Sequence, residues 1–220
     1  MTTAAFYSQL EQCKTILKKI DLLHNYQKAI NLIKKPSASL KGKPYKDIWE
    51  HIYKNYYSTF VLADRSLILF SIKEDPKESS FSYLENPYFY VSKAEFEKEF
   101  ETDDDSLYEQ YLMERAKEHV TPIRYDFYPK DYNPGLHPAS HMHIGHNSEI
   151  RIGCACILTP LLFIFFIVRQ CYPEKWTELR ENSFFGVAIK NYVQKIDPCF
   201  FSENDTLECY LHFLSANEFE

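Results

Sequence analysis

Residues 123–145 read IRYDFYPKDYNPGLHPASHMHIG, and this stretch contains two short segments in which apolar and polar residues alternate. Successive side chains of a β-strand point to opposite faces of a sheet, so the alternation predicts two half-buried strands, IRYDFY and HMHIG. The apolar side of each strand would face the core. The polar side carries Arg124, Asp126 and Tyr128 in the first strand, and His141, His143 and Gly145 in the second.

Segments on both sides of this pair indicate helices at the two ends of a sheet. Further strands are predicted at residues 58–73 as a hairpin around Ala63–Ser66, at 151–157 and at 207–213, and residues 80–91 are predicted to be extended, with Pro87 indicating an edge or a break. Helices are predicted at residues 4–23 and onward through 26–35, and at 47–57, 92–100, 107–119, 160–176 and 184–196. We therefore expect an α+β fold, with an antiparallel sheet, N-terminal helices and C-terminal buried helices.

The chain of 220 residues has room for one domain with a helical attachment. We divide it into an N-terminal helical segment, residues 1–57, and an α+β domain, residues 58–220, which carries the polar strand faces. A single domain over residues 1–220 is the alternative.

An uncharged run from Ile152 to Val168 has to be compared with a membrane span. It is seventeen residues long, whereas a spanning helix needs about 20. Thr159-Pro160 also has the form of an N-cap followed by proline at the first helical position. We therefore predict a strand that ends near Ile157 and then a buried helix.

The 6 cysteines include no CxxC pair, and the N-terminal residues lack the charged and apolar regions of a secretory signal. We expect reduced thiols and a cytoplasmic location. The net charge of -6 is uneven: residues 1–60 hold 10 Lys and Arg against 4 Asp and Glu, a local balance of +6. This basic segment indicates either contact with a nucleic acid or acidic partner, or a solvated helix face. Its scattered lysines favour the solvated face.

If the two strands are neighbours, Arg124, Asp126, His141 and His143 share one sheet face. Histidine serves as a general acid or base, a carboxylate orients an imidazole, and arginine binds phosphate through two hydrogen bonds. The set predicts phosphodiester cleavage, with His143 as base or acid, His141 as its counterpart, Asp126 as orienter and Arg124 as phosphate clamp. A structural ion pair and histidines that satisfy buried carbonyls are the alternative interpretation.

Four further residues are candidate ligand-binding positions. Tyr128 and His137 lie in a thirteen-residue loop that contains three prolines, and loops of that length are often functional. Gly145 leaves room for a ligand to approach the backbone, and Arg151 follows in the next segment. This interpretation needs no cofactor. In the alternative, His141 and His143 bind zinc with His137 or Asp126 as the third ligand.

Several of these motifs occur together in a known family. The chain resembles an uncharacterised bacterial family, a domain of unknown function, over most of its length and most densely at residues 122–176. The resemblance lies in RYDFYP (124–129), HPASHMHIG (137–145), Arg151-Ile152, Thr159-Pro160 and Cys171-Tyr172-Pro173-x-x-Trp176. It implies no activity.

A looser similarity links the chain to small toxins of toxin–antitoxin systems, which combine an R-Y-D strand with a later H-x-H strand. That similarity implies RNA as the target and a role in phage defence or growth arrest. We therefore expect an RNase-like, phosphodiester-acting enzyme. The alternative is a non-catalytic subunit that binds a nucleotide or a partner protein in a bacterial defence or toxin–antitoxin complex.

Overall fold

The computed structural model describes residues 2–27, 42–72, 78–133, 136–147, 150–154 and 156–181, and the backbone of residues 210–211. The helices in these residues are α1 (Thr3–Lys19), α2 (Tyr45–Lys54), α3 (Lys93–Phe100), α4 (Asp105–Leu112), α5 (Pro160–Cys171) and α6 (Pro173–Arg180). The strands are β1 (Leu23–Tyr26), β2 (Phe60–Leu62), β3 (Leu67–Ile72), β4 (Ser79–Leu84), β5 (Ile123–Phe127), β6 (Ser140–Ile144), β7 (Ile150–Cys154) and β8 (Tyr210–Leu211). The predicted α+β fold is confirmed.

The strands lie side by side in the order in which they occur along the chain. All neighbours from β1 to β7 pair antiparallel, and β8 pairs with β7 in parallel. The predicted hairpin around Ala63–Ser66 is the connection between β2 and β3, and Arg65 adopts a φ of 68° in its turn. Short connections of this kind are what an antiparallel meander requires.

One face of the sheet holds the main hydrophobic core. Every second strand residue contributes to it, among them Phe70, Phe81, Tyr125 and Met142, and α1 and α5 pack on the same side. Because α5 contacts α1, α6 and β4, apolar residues surround it on nearly every side, as its sequence PLLFIFFIV requires. The side-chain oxygen Oε1 of Gln9 in α1 accepts a hydrogen bond from the Leu161 N–H, at 3.3 Å.

The uncharged run divides into a strand and a buried helix as predicted, but strand β7 ends at Cys154, three residues before the predicted end near Ile157. The Thr159 hydroxyl accepts a hydrogen bond from the Leu162 N–H at the start of α5, with Pro160 in the first helical position. Helix α5 has only 12 residues. Within the described part of the chain, every helix is too short or too polar to cross a membrane.

The opposite face of the sheet has two parts of different character. In the apolar half, α2 places Trp49 and Ile52 against Val61, Leu67 and the partly buried Leu84. The polar half lies across β4 to β7 and consists of Ser80, Ser82, Arg124, Asp126, His141, His143, Arg151 and Gly153. Both halves use the same strand β4, so they form one continuous surface.

Three predicted helices were wrong in part. The helix predicted at 160–176 is interrupted at Tyr172 and forms α5 and α6. The N-terminal helix was predicted through residue 23 and onward, but α1 ends at Lys19, Asp21 adopts a φ of 50°, and β1 then pairs with β2. The helix predicted at 107–119 ends at Leu112. The chain beyond it pairs with the segment after β4 instead, as the Phe89 N–H donates to the Arg115 carbonyl. Residues 28–41 and 182–209, including the helix predicted at 184–196, lie outside the described residues.

Candidate functional site

Two rows of residues cross the polar half from β4 to β7. The first row consists of the cross-strand partners Ser82, Arg124, His143 and Arg151, and the second consists of Ser80, Asp126, His141 and Gly153. Residues two apart on a strand share a face, so the two rows lie next to each other on one surface. Arg124, Asp126, His141 and His143 therefore do meet on one sheet face, while their chemical roles stay predictions.

The carboxylate of Asp126 is held by two donors. The Ser80 hydroxyl donates to Oδ1 at 2.7 Å, and Nε of Arg124 donates to Oδ2 at 2.8 Å. The Asp126 side chain is only 8% exposed. A buried carboxylate is costly unless hydrogen bonds replace its water, and these two donors also fix its orientation.

His141 is buried, and its tautomer follows from one contact. Its Nδ1 lies 2.8 Å from the carbonyl oxygen of Pro138. A carbonyl can only accept, so Nδ1 carries the hydrogen, and Nε2 of the neutral ring keeps its lone pair. The ring is thereby oriented by the loop that precedes β6, with its basic nitrogen at the other end.

His143 is also buried, but it has fewer partners. Its Nε2 lies 3.6 Å from Oδ2 of Asp126, beyond hydrogen-bonding distance, and its Nδ1 has no hydrogen-bond partner among the described residues. Burial lowers the pKa of His143 to about 4; Arg124 lowers it as well, and Asp126 opposes them. Burial also lowers the pKa of His141. Both imidazoles are therefore neutral near pH 7.

The four candidate ligand-binding residues lie at different positions relative to this centre. Arg151 is the cross-strand partner of His143 and is exposed, and the His137 ring lies 4.8 Å from the His141 ring in an edge-to-face contact. Tyr128 directly follows β5, half-buried, and its N–H donates to the Ala139 carbonyl. Gly145 follows β6 with a φ of 93°, a conformation that favours glycine whether or not a ligand binds.

Three side chains of the site have the composition of a metal site. One ligand atom from each of Asp126, His141 and His143 lies within 4.8 Å of the other two. Within the residues described, this is the only such group of three histidine, cysteine or acidic side chains. It corresponds to the zinc alternative with Asp126, not His137, as the third ligand.

Sequence reasoning missed two contributors to this site. Ser80 was assigned only to an extended segment, although Ser80 and Ser82 alternate with Phe81 and Tyr83 and so belong to the polar face. The Pro138 carbonyl, which orients His141, cannot be inferred from the residue pattern, because every residue has a backbone carbonyl. The thiols of CAC are not available as nucleophiles: burial raises the pKa of Cys154 well above its ordinary value and that of Cys156 to about 11.

Comparison with known proteins identifies a family without assigning an activity. The family model described as an uncharacterized conserved protein (DUF2290) matches residues 7–213, which include every helix and strand that forms or supports the site. No curated protein and no solved structure shows significant similarity to the chain. The match covers nearly the whole chain, in agreement with the resemblance to a domain of unknown function, and the chain therefore belongs to the DUF2290 family.

Proposed function

We propose that the chain hydrolyses phosphodiester bonds, with cytoplasmic RNA as the first substrate to test. One observation carries the proposal: the row Arg124, His143, Arg151 lies directly beside Asp126 and His141. Two guanidinium groups thus flank a neutral imidazole, next to a second imidazole and an oriented carboxylate. Such an enzyme would serve in phage defence or as the toxin of a toxin–antitoxin pair.

The two arginines are suited to hold one phosphate group above His143. They lie on β5 and β7, either side of β6, so their backbones are about 10 Å apart at the usual strand spacing. Arg151 is exposed and the Arg124 side chain is 45% exposed, whereas His143 is buried between them. Arg124 gives only Nε to Asp126 among the described residues, so its terminal amino groups can donate to phosphate oxygens.

The proposed reaction needs a base and stabilisation of the developing charge. The oxygen of a water molecule attacks phosphorus, the bond from phosphorus to one ribose oxygen breaks, and the products are a phosphate monoester and an alcohol. One water proton passes to a neutral imidazole, and the imidazolium that forms gives this proton to the leaving ribose oxygen. Arg124 and Arg151 would stabilise the charge that builds up on the phosphate oxygens.

Cleavage of single-stranded RNA and DNA by purified protein tests the proposal. We expect wild type to cleave RNA, and Arg124→Gln and Arg151→Gln each to reduce the rate by about 100-fold, the typical cost of removing one preorganised donor. Arg180→Gln is the matched control, because this exposed arginine ends α6 on the other side of the sheet, and its rate should stay within about twofold of wild type.

Loss of cleavage in both site variants with the fold intact would support the proposal. Equal rates in Arg124→Gln, Arg151→Gln and Arg180→Gln would overturn it. Absence of cleavage by folded wild-type protein would also overturn it, in favour of the non-catalytic subunit that binds a nucleotide or a partner protein.

A further inference from the structure

We infer that Asp126, His141 and His143 together bind one divalent transition-metal cation, with zinc as the first candidate, and leave a coordination position open for water or substrate. The inference rests on the proposed function for what the cation does, but not for its binding. Two histidines and one carboxylate, with an open fourth position, are a common ligand set of catalytic zinc sites.

The distances are close to those of a bound zinc. Ligand atoms at about 2.1 Å from zinc lie roughly 3.4 Å apart in a tetrahedral site, and Nε2 of His143 lies 3.6 Å from Oδ2 of Asp126. The ligand atoms of the three residues all lie within 4.8 Å of one another. Bringing them to the tetrahedral separation requires a shift of at most about 1.4 Å, which small side-chain rotations can supply.

The surroundings orient the ligands as metal sites require. A metal-binding histidine usually donates its second ring N–H to a carbonyl or carboxylate, and His141 donates Nδ1–H to the Pro138 carbonyl, so that Nε2 is the coordinating atom. The carboxylate is oriented in the same way, because Ser80 and Arg124 each donate to one of the Asp126 oxygens. Both ligands are therefore oriented toward the site before a cation binds.

His143 supplies the second, independent observation. It is 4% exposed, its Nε2 is too far from Asp126 for a hydrogen bond, and its Nδ1 is unpartnered among the described residues. A buried ring nitrogen without a hydrogen-bond partner loses its hydration without compensation, and coordination of a cation by this ring would offset part of that cost. The neutral form of the ring is the form that binds metals.

A cation at this position would replace the imidazole base of the proposed reaction, because both imidazoles would then be ligands. It would lower the pKa of a bound water, which would lose a proton to solvent and attack phosphorus as hydroxide, while the leaving ribose oxygen would gain a proton from solvent. The cation also polarises a phosphate oxygen. Arg124 and Arg151 then need only to hold the phosphate over His143.

Metal analysis of the full chain, purified without a histidine tag and dialysed against metal-free buffer, tests the inference. We expect close to one zinc per chain in wild type, and visible absorption typical of four-coordinate cobalt(II) after replacement with cobalt. His141→Gln and Asp126→Asn should weaken zinc binding by about 100-fold or more, since loss of an outer-sphere partner alone costs 10–100-fold.

His119→Gln, at an exposed histidine, is the matched control. His137→Gln separates the two alternative ligand sets, because its ring touches His141 but it is not one of the three proposed ligands. Both variants should retain wild-type metal content. Metal lost in His137→Gln but kept in Asp126→Asn would overturn the ligand set, and metal-free wild type that fails to bind added zinc or cobalt would overturn the site. Iron in place of zinc, lost in the same two variants, would confirm the ligands and overturn the zinc assignment.

Failure of this inference differs from failure of the proposed function. RNA cleavage that persists in chelator by zinc-free protein would overturn the proposed role of the cation in the reaction and leave hydrolysis standing. Stoichiometric zinc in a protein that cleaves neither RNA nor DNA would support the site and overturn hydrolysis. Circular dichroism of each variant shows whether it is folded, and Ser82→Ala, on the same face, provides a second variant that should keep its zinc.

Discussion

The apolar and the polar half of the second sheet face differ in chemistry although they share strand β4 and the same backbone geometry. Under α2, the face carries Leu67 and Leu84, which pack against Trp49. Across β5 and β6 it carries Asp126 and His143, which are almost equally buried, at 5% and 4% exposure. The apolar half thus buries side chains whose burial stabilises the fold, and the polar half buries side chains whose burial costs free energy.

The apolar half contributes to the stability of the fold, and the polar half holds the candidate functional groups. Burial of Trp49 and Leu67 contributes to folding, whereas burial of Asp126, His141 and His143 has a free-energy cost. Within the described residues, two donors to the carboxylate and one carbonyl that accepts from His141 reduce this cost. Polar groups held at such a cost are typical of functional sites. Three measurements test this contrast.

The largest effect is expected from Trp49→Ala in the apolar half. Trp49 is 2% exposed and stacks on Tyr53 with ring centroids 4.8 Å apart, so its removal leaves a large cavity and should reduce the free energy of unfolding by about 3–5 kcal/mol. Urea denaturation measures it. Leu107→Ala, at a residue 50% exposed on α4, is the control and should cost less than about 0.5 kcal/mol. Equal losses in the two variants would contradict the contrast.

The second effect is a pH dependence that originates in the polar half. The pKa of His143 is about 4 in the folded chain and about 6.5 in the unfolded chain, so between these values the unfolded state binds more protons. The contribution of His143 to the free energy of unfolding is therefore fully present above pH 6.5. It is lost as the pH falls toward 4, and the loss is about 3 kcal/mol.

Unfolding in urea at several pH values, with chelator present, measures this loss. His143→Gln should flatten the decline, whereas His119→Gln, at an exposed histidine, should leave the wild-type slope unchanged. If wild type and His143→Gln lose stability in parallel on acidification, the buried imidazole is not the source.

The smallest effect is expected at Ser80, where β4 passes from one half to the other. Ser80→Ala removes the donor to Oδ1 of Asp126, so we expect a loss of about 1 kcal/mol in unfolding free energy. We also expect zinc affinity or cleavage to fall by about 10-fold or more. Ser82→Ala is the matched control, since Ser82 has the same strand and face but no hydrogen bond to Asp126. Identical behaviour of the two alanine variants would show that Ser80 does not position the carboxylate.

The strands that carry the site could be predicted because their signal is local. Alternation in IRYDFY and HMHIG has a period of two, and one buried face fixes which residues point outward, so the shared surface followed once β5 and β6 were taken as neighbours. The Thr159-Pro160 helix start is equally local. Strand β1 was missed because LHNY shows no alternation, and only pairing with β2, more than 30 residues later, makes it a strand.

The state of the histidines could not be predicted from the same residues. Their types suggest an acid and a base near neutral pH, but burial of His143 lowers its pKa to about 4, and burial depends on the whole fold. The donor from Ser80 reaches Asp126 across 46 residues of sequence. Long-range contacts of this kind, rather than the strands themselves, determine whether the histidines would act as an acid–base pair or as neutral metal ligands.

The packing of α1 against α5 has a consequence during synthesis of the chain. Helix α1 is made first, whereas α5, which shares its core and meets it at the Gln9–Leu161 hydrogen bond, ends only at Cys171. At translation rates of about 5–20 residues per second, the ~150 residues between them take roughly 8–30 s. For that time Phe6, Leu10 and Leu17 lack their final neighbours. The meander from β1 to β7 can form hairpin by hairpin on the ribosome. Helix α5 can cover the core only after all seven of these strands have been made.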